Sequence, residues 1–124
     1  MMKKRIFNLM AGLFLLVGFT ACEYDWVEPE AIVVPDVVSF NGDVIPVFDR
    51  SCNMSGCHAQ GSTSPDLSSA NAWADLMAKG LINTETPAQS GLYITVTTGS
   101  MKKFSNAANN AIILKWIEQG ALNN

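Results

Sequence analysis

Cys52-Asn53-Met54-Ser55-Gly56-Cys57-His58 puts two thiols in one short run, with the only histidine of the 124-residue chain directly behind the second. A cysteine pair followed at once by histidine is the attachment signature of c-type haem. In such a run the two sulfurs add to the haem vinyl groups as thioethers, and the adjacent imidazole is held beneath the iron. The common form has two residues between the cysteines; here there are four. The loop is therefore wider, and Gly56 supplies backbone freedom just before the second sulfur. A chain built this way has a large apolar plate to fold against, which constrains its architecture more than any other feature.

Other chemistries use the same residues. In an exported protein Cys52 and Cys57 can form a disulfide that closes a small loop, with His58 a bystander; the chain is then a haem-free lipoprotein binding module. A structural zinc site wants four ligands, and a third thiolate or second histidine is missing, although a carboxylate can substitute. A thioredoxin-like pair needs the shorter Cys-x-x-Cys spacing in a βαβ setting, and neither is present.

Residues 1–21 read as an export signal: Lys3, Lys4 and Arg5, an apolar run from Ile6 to Phe19, then Thr20-Ala21-Cys22. The apolar run is too short, and too soon followed by polar residues, to span a bilayer comfortably. A small residue directly before cysteine resembles the lipobox of bacterial lipoproteins, with Phe19 where leucine is usual. Cys22 is then the lipid-bearing residue of the mature protein. An ordinary secretory signal would instead leave Cys22 as a lone thiol in an oxidising space, which is a liability. The lipoprotein reading also accounts for three cysteines, one for lipid and two for haem.

Without residues 1–21 the chain keeps five basic residues against eleven acids, a net charge of about −6. No basic stripe suited to a phosphate backbone remains, so nucleic acid is not an expected partner. An acidic carrier favours partners with basic docking patches, through contacts that weaken as salt rises.

Residues 22–38 are rich in acids and prolines at first and read as a tether. Ile32-Val33-Val34 and Val37-Val38 are candidates for a short extended strip at the domain edge, interrupted by Pro35. Residues 39–124 form the domain, small enough to lean on a cofactor for its core. A first helix is expected over Asn41–Arg50, with Asn41 or Asp43 as cap, Val44, Ile45, Val47 and Phe48 apolar, and Pro46 in or near its first turn. A second is expected over Ser69–Ala78, capped by Ser68 or Ser69, with Trp73, Leu76 and Met77 on one face and Gly80 as its stop. The last runs Asn106–Gln119 behind Ser105 as cap, with Ile113, Trp116 and Ile117 at helical spacing before Gly120. Leu81 to Ser100 reads as loop, with Leu92-Tyr-Ile-Thr-Val a short helix or extended turn. The expected class is all-α.

Val38-Ser-Phe, Ile45-Pro-Val-Phe, the Cys52–His58 run and Leu114-Lys-Trp-Ile-Glu-Gln-Gly-Ala121 together resemble class I cytochromes c, the planctomycete-type cytochrome c domain in particular. The likeness covers roughly residues 38–122 and implies a small helical domain packed around one covalent haem c. It also implies a second axial ligand just ahead of the last helix, where Met101 stands with Lys102 in place of the family's proline. With no second histidine, the other options for that position are a different methionine, a lysine, the N-terminus or water. Met54 lies inside the attachment loop on the proximal side. Met77 shares a helix face with Trp73, where methionine is more often core filling.

A haem held by His58 and Met101 is coordinatively full and suits electron transfer, whereas an open sixth site would suit a sensor. No spare general-base histidine and no partnered nucleophile is visible, so the chain is not expected to be an enzyme. The expected protein is a monohaem cytochrome of the bacterial cell envelope. It is lipid-anchored to a membrane facing the periplasm or cell surface, and exchanges electrons with redox partner proteins there. If lipid on Cys22 is the anchor, Cys22→Ser releases the protein into the soluble fraction on cell fractionation. Retention in membranes after a high-salt wash would disprove the lipobox assignment.

Overall fold

Phe40, Phe48 and Trp116 meet in the middle of the domain, and the helices are arranged around that contact. The Phe40 and Trp116 ring centroids lie 4.9 Å apart, and Phe48 meets Phe40 edge-on at 6.4 Å. All three are almost completely buried. Such pairs add about 0.5–1.5 kcal/mol beyond the area they bury. In the computed structural model, which describes residues 31–124, four α-helices surround this cluster. They are α1 (Ile45–Ser51), α2 (Ala72–Ala78), α3 (Gly91–Thr97) and α4 (Ala107–Glu118). Among the described residues there is no strand, and the class is all-α as expected. The export signal, Cys22 and the first part of the tether lie outside the described residues.

α1 is entered through a wide π-type turn, Phe40–Val44. Ser39, not Asn41, is its cap: the Ser39 hydroxyl accepts the Gly42 N–H at 2.9 Å. Asp43 reaches back to accept the Ser39 N–H at 2.8 Å, so the two residues satisfy each other's backbone ends. Pro46 sits in the first turn of α1, where no N–H is needed. Val44, Ile45, Val47 and Phe48 are all buried, as the apolar spacing predicted.

α2 starts later than the serines suggested. Ser68 caps nothing with its hydroxyl, which donates instead to Asp66 at 2.6 Å, while its carbonyl accepts the N–H groups of Asn71 and Ala72. Asp66 also accepts the Ser68 N–H and the Asn71 side-chain amide. These bonds, those from Ser68 first, hold its carboxyl below the usual carboxylate value. On α2, Leu76 is fully buried and Trp73 and Met77 pack half-buried against the core.

α3 occupies the stretch read mainly as loop. Ile94, Thr95, Val96 and Thr97 are β-branched and poor helix formers, which masked the element. Leu92 and Val96, one turn apart, are buried, and that packing outweighs propensity. The buried Ser90 braces its start, accepting the Asn83 N–H at 2.9 Å and donating to the Asn83 carbonyl.

α4 is capped by Asn106, which accepts the Asn109 N–H at 2.9 Å; Ser105, the expected cap, donates to the Asn110 side chain instead. Its end is a Schellman motif: the Gly120 N–H bonds the Ile117 carbonyl and the Ala121 N–H the Trp116 carbonyl. Gly120 takes φ +96°, open to glycine at little cost. The Trp-Ile-Glu-Gln-Gly-Ala sequence is thus a core pair followed by a helix stop. The indole N–H groups of Trp73 and Trp116 then hold the carbonyls of Ala121 and Leu122.

Both ends of the described chain are tied to this frame. Asn124 accepts the N–H groups of Phe40, through its side chain, and of Asn41, through its carbonyl, at the entrance to α1. Gln119 accepts the Val38 N–H at 2.9 Å and donates to the Asp36 carbonyl at 2.7 Å. Val38 is a buried core residue, whereas Ile32, Val33 and Val37 are exposed, so the extended strip suggested at the edge does not form. No helix among the described residues is long and apolar enough to cross a membrane. Gln119→Ala leaves the buried Val38 backbone unpaired and is expected to cost about 1–2 kcal/mol, read as a lower denaturation midpoint. An unchanged midpoint would show that the clamp contributes nothing.

Candidate functional site

Behind Phe48 the core opens into a cavity of about 460 Å³, bounded by the Cys52–His58 loop, residues 63–67, α3 and the turn after α3. This lies within the roughly 300–1,000 Å³ typical of cofactor and small-molecule sites. Its walls are apolar: Phe48, Leu67, Leu92 and Val96 on the core side, with Leu81, Met101 and Phe104. No aspartate, glutamate, lysine or arginine lines it.

The attachment run is shaped by the end of α1. The N–H groups of Cys52 and Asn53 both bond the Phe48 carbonyl at 2.7 Å, so the helix stops by doubling onto one acceptor. The His58 N–H then returns to the Cys52 carbonyl at 3.1 Å, and the Cys57 N–H bonds Met54 at 2.8 Å. The wider spacing therefore closes into a compact loop with both cysteines among the residues that line the cavity. Both are free thiols, Cys52 half-buried and Cys57 exposed. Burial, and then the charge of Cys57, pushes the Cys52 thiol above its ordinary value. Among the described residues no three His, Cys, Asp or Glu side chains gather where they could share a metal ion.

His58 lines the cavity with its ring fixed from behind. Its Nδ1 lies 2.9 Å from the Pro65 carbonyl and 3.1 Å from that of Thr63. Carbonyls only accept, so this geometry puts the proton on Nδ1 and leaves the Nε2 lone pair free. A second partner holding one ring nitrogen while the other is left for a metal is the usual arrangement of ligating histidines.

Met101 arrives from a separate stretch of the wall. The Gly99 N–H bonds Ile94 at 2.9 Å and the Met101 N–H bonds Thr95 at 3.1 Å, so the chain folds back tightly on α3. A Cβ on Gly99 would stand 2.8 Å from the Thr95 Cα, a distance no side chain accommodates without a backbone shift. Lys102 opens a short 3₁₀ turn, Lys102–Phe104.

All four residues expected to hold a cofactor, Cys52, Cys57, His58 and Met101, line one cavity. Met77 and Met54 do not line it; Met54 is exposed. Cys22 lies outside the described residues. The sequence reading missed the Thr63 and Pro65 acceptors and the wall supplied by α3. Ser64-Pro65, close behind the single histidine, was the available signal for the former. Among protein-family models, curated proteins and solved structures, none matches this chain.

Gly99→Ala is expected to destabilise the domain by about 1–3 kcal/mol by forcing the turn off α3. Ser100→Ala, in the same turn, should be near neutral in the same denaturation series. Equal midpoints for the two variants would refute the close-approach argument.

Proposed function

We propose that this protein is a lipid-anchored monohaem c-type cytochrome that transfers electrons in the bacterial cell envelope, and not an enzyme. The observation that carries the reading is that Cys52, Cys57, His58 and Met101 line a single uncharged cavity of cofactor size. Haem, when bound, supplies a one-electron iron couple. The residues fit that group. An apolar wall suits its faces, two free thiols are available to form thioethers, and one imidazole nitrogen is left unbonded.

In this reading Cys52 and Cys57 would hold the haem covalently and His58 Nε2 would bind its iron. The Thr63 and Pro65 carbonyls fix the imidazole plane. The Met101 thioether would be the second iron ligand, a donor that favours ferrous iron. Phe48, Leu67, Leu92 and Val96 keep water away, and a low-dielectric surrounding disfavours the more charged oxidised state. Lipid on Cys22, with the residues between it and the clamped Asp36 as tether, would keep the domain at the membrane.

Two methionine variants test the ligand set. Met101→Ala should keep covalent haem but lose the near-infrared sulfur-to-iron charge-transfer band, bind carbon monoxide when reduced, and show a lower potential. Met77→Ala should keep the band and cost about 1–3 kcal/mol through a core cavity. If wild-type protein lacks the band and already binds carbon monoxide, the sixth site is open and the sensor reading takes over.

A further inference from the structure

The two ends of the described chain run side by side and leave apolar side chains in solvent. Gln119 holds the backbone on both sides of Val37, through the Asp36 carbonyl and the Val38 N–H. Val34, just before, packs against the core. The segment is therefore fixed, and the side chains it leaves outside, Ile32, Val33 and Val37, are 49%, 87% and 73% exposed. Leu122, 59% exposed, belongs to the same edge. Its carbonyl accepts the Trp116 indole N–H, and Asn124, two residues on, accepts the backbone N–H groups of Phe40 and Asn41. Four of the seven large apolar residues exposed among the described residues thus fall on these two short stretches. Residues 31–44 and 116–124 contain three acids, Asp36, Asp43 and Glu118, and no lysine or arginine. None of these residues lines the cavity, and the aromatic cluster lies between: Phe48 lines the cavity, whereas Phe40 and Trp116 are bonded to Asn124 and Leu122.

We infer that Ile32, Val33, Val37 and Leu122 form a face that seats the domain on the surface of a lipid bilayer, with the cavity turned toward the aqueous phase. The inference rests on the lipid-anchor part of the reading above and not on the haem. Nine residues of chain lead from Cys22 to Ala31. Fully extended they reach at most about 32 Å, roughly the diameter of a small domain. Lipid on Cys22 therefore keeps the edge where the chain enters the domain closest to the bilayer, at an effective concentration on the order of 1 mM. A contact too weak to hold a free protein is sufficient under that condition. Exposed valine, isoleucine and leucine side chains gain by entering the boundary between headgroups and acyl chains. The acids beside them, with no base to offset them, match a zwitterionic surface and are repelled by an anionic one.

Mature ¹⁵N-labelled protein carrying its lipid, placed in phosphatidylcholine nanodiscs with and without a gadolinium-bearing lipid, reports which face meets the bilayer. The amides within residues 32–37 and 121–123 should lose most of their signal to the gadolinium, while those of Met101–Ser105, at the cavity, keep theirs. Val33→Ser, Val37→Ser and Leu122→Ser together should abolish the difference between the two regions. That variant should stay lipid-anchored with an unchanged denaturation midpoint, because the three side chains are exposed. Replacing part of the phosphatidylcholine with anionic phosphatidylglycerol should weaken the signal loss at residues 32–37; a stronger loss overturns the choice of lipid. In a lipidated protein, equal loss in the two regions, or loss centred on Met101–Ser105, overturns the membrane face. Dimerisation of the Cys22→Ser protein that the triple substitution removes overturns it in favour of a second copy of the chain. A mature protein without acyl chains on Cys22 overturns the anchor reading itself, and this inference with it.

Discussion

The domain depends on a wall shared between its core and its cavity. Phe48 shows how: one side of the residue meets Phe40 in the aromatic cluster, another lines the cavity, and its carbonyl receives the two N–H groups that end α1 at Cys52. Leu67, and Leu92 with Val96 on α3, extend the same wall from two other parts of the chain. In a unit this small each of these side chains counts, because little apolar surface can be buried by protein alone. A wall that is apolar toward a cavity of this size calls for an apolar occupant, since water gains few partners there. The folding problem and the binding problem are therefore one problem in this protein.

From that wall the site follows by local rules. The end of α1 delivers Cys52, backbone bonds close the loop to His58, and two carbonyls set the imidazole proton on Nδ1. The fold-back after α3 delivers Met101, and the absence of a Cβ at Gly99 permits it. None of these steps uses a charged group in the cavity. The proposed cofactor site is accordingly free of charged Asp, Glu, Lys and Arg side chains.

Much of this was legible from residue order because helix ends and core faces are local. Val44, Ile45, Val47 and Phe48, and likewise Ile113, Trp116 and Ile117, sit where their spacing put them. Gly80 and Gly120 stop their helices as read, each within a Schellman pattern of backbone bonds. What escaped depended on distant partners. Between the short helix and the extended turn left open at Leu92-Tyr-Ile-Thr-Val, the helix forms because Leu92 and Val96 find the core, against a β-branched composition. Ser39 displaces Asn41 as cap because Asp43 turns back toward it. The strip at residues 32–38 fails because Gln119, just past the end of α4, claims the backbone of Asp36 and Val38. Within the site, the four candidate side chains were identifiable by type and spacing. The carbonyls that orient His58 were not, because a backbone acceptor carries no residue signature beyond the indirect one of Ser64-Pro65 close behind the histidine.

The central claim is that the cavity is built for a covalently held haem. Its most direct test is a mass spectrum of the full-length protein exported from cells with a competent haem-attachment apparatus, purified and denatured before measurement. The account predicts the mass of the mature chain plus one haem that survives denaturation, with neither Cys52 nor Cys57 available to a thiol reagent. A mass of the chain without haem, and with two hydrogens lost to a Cys52–Cys57 disulfide, would contradict it.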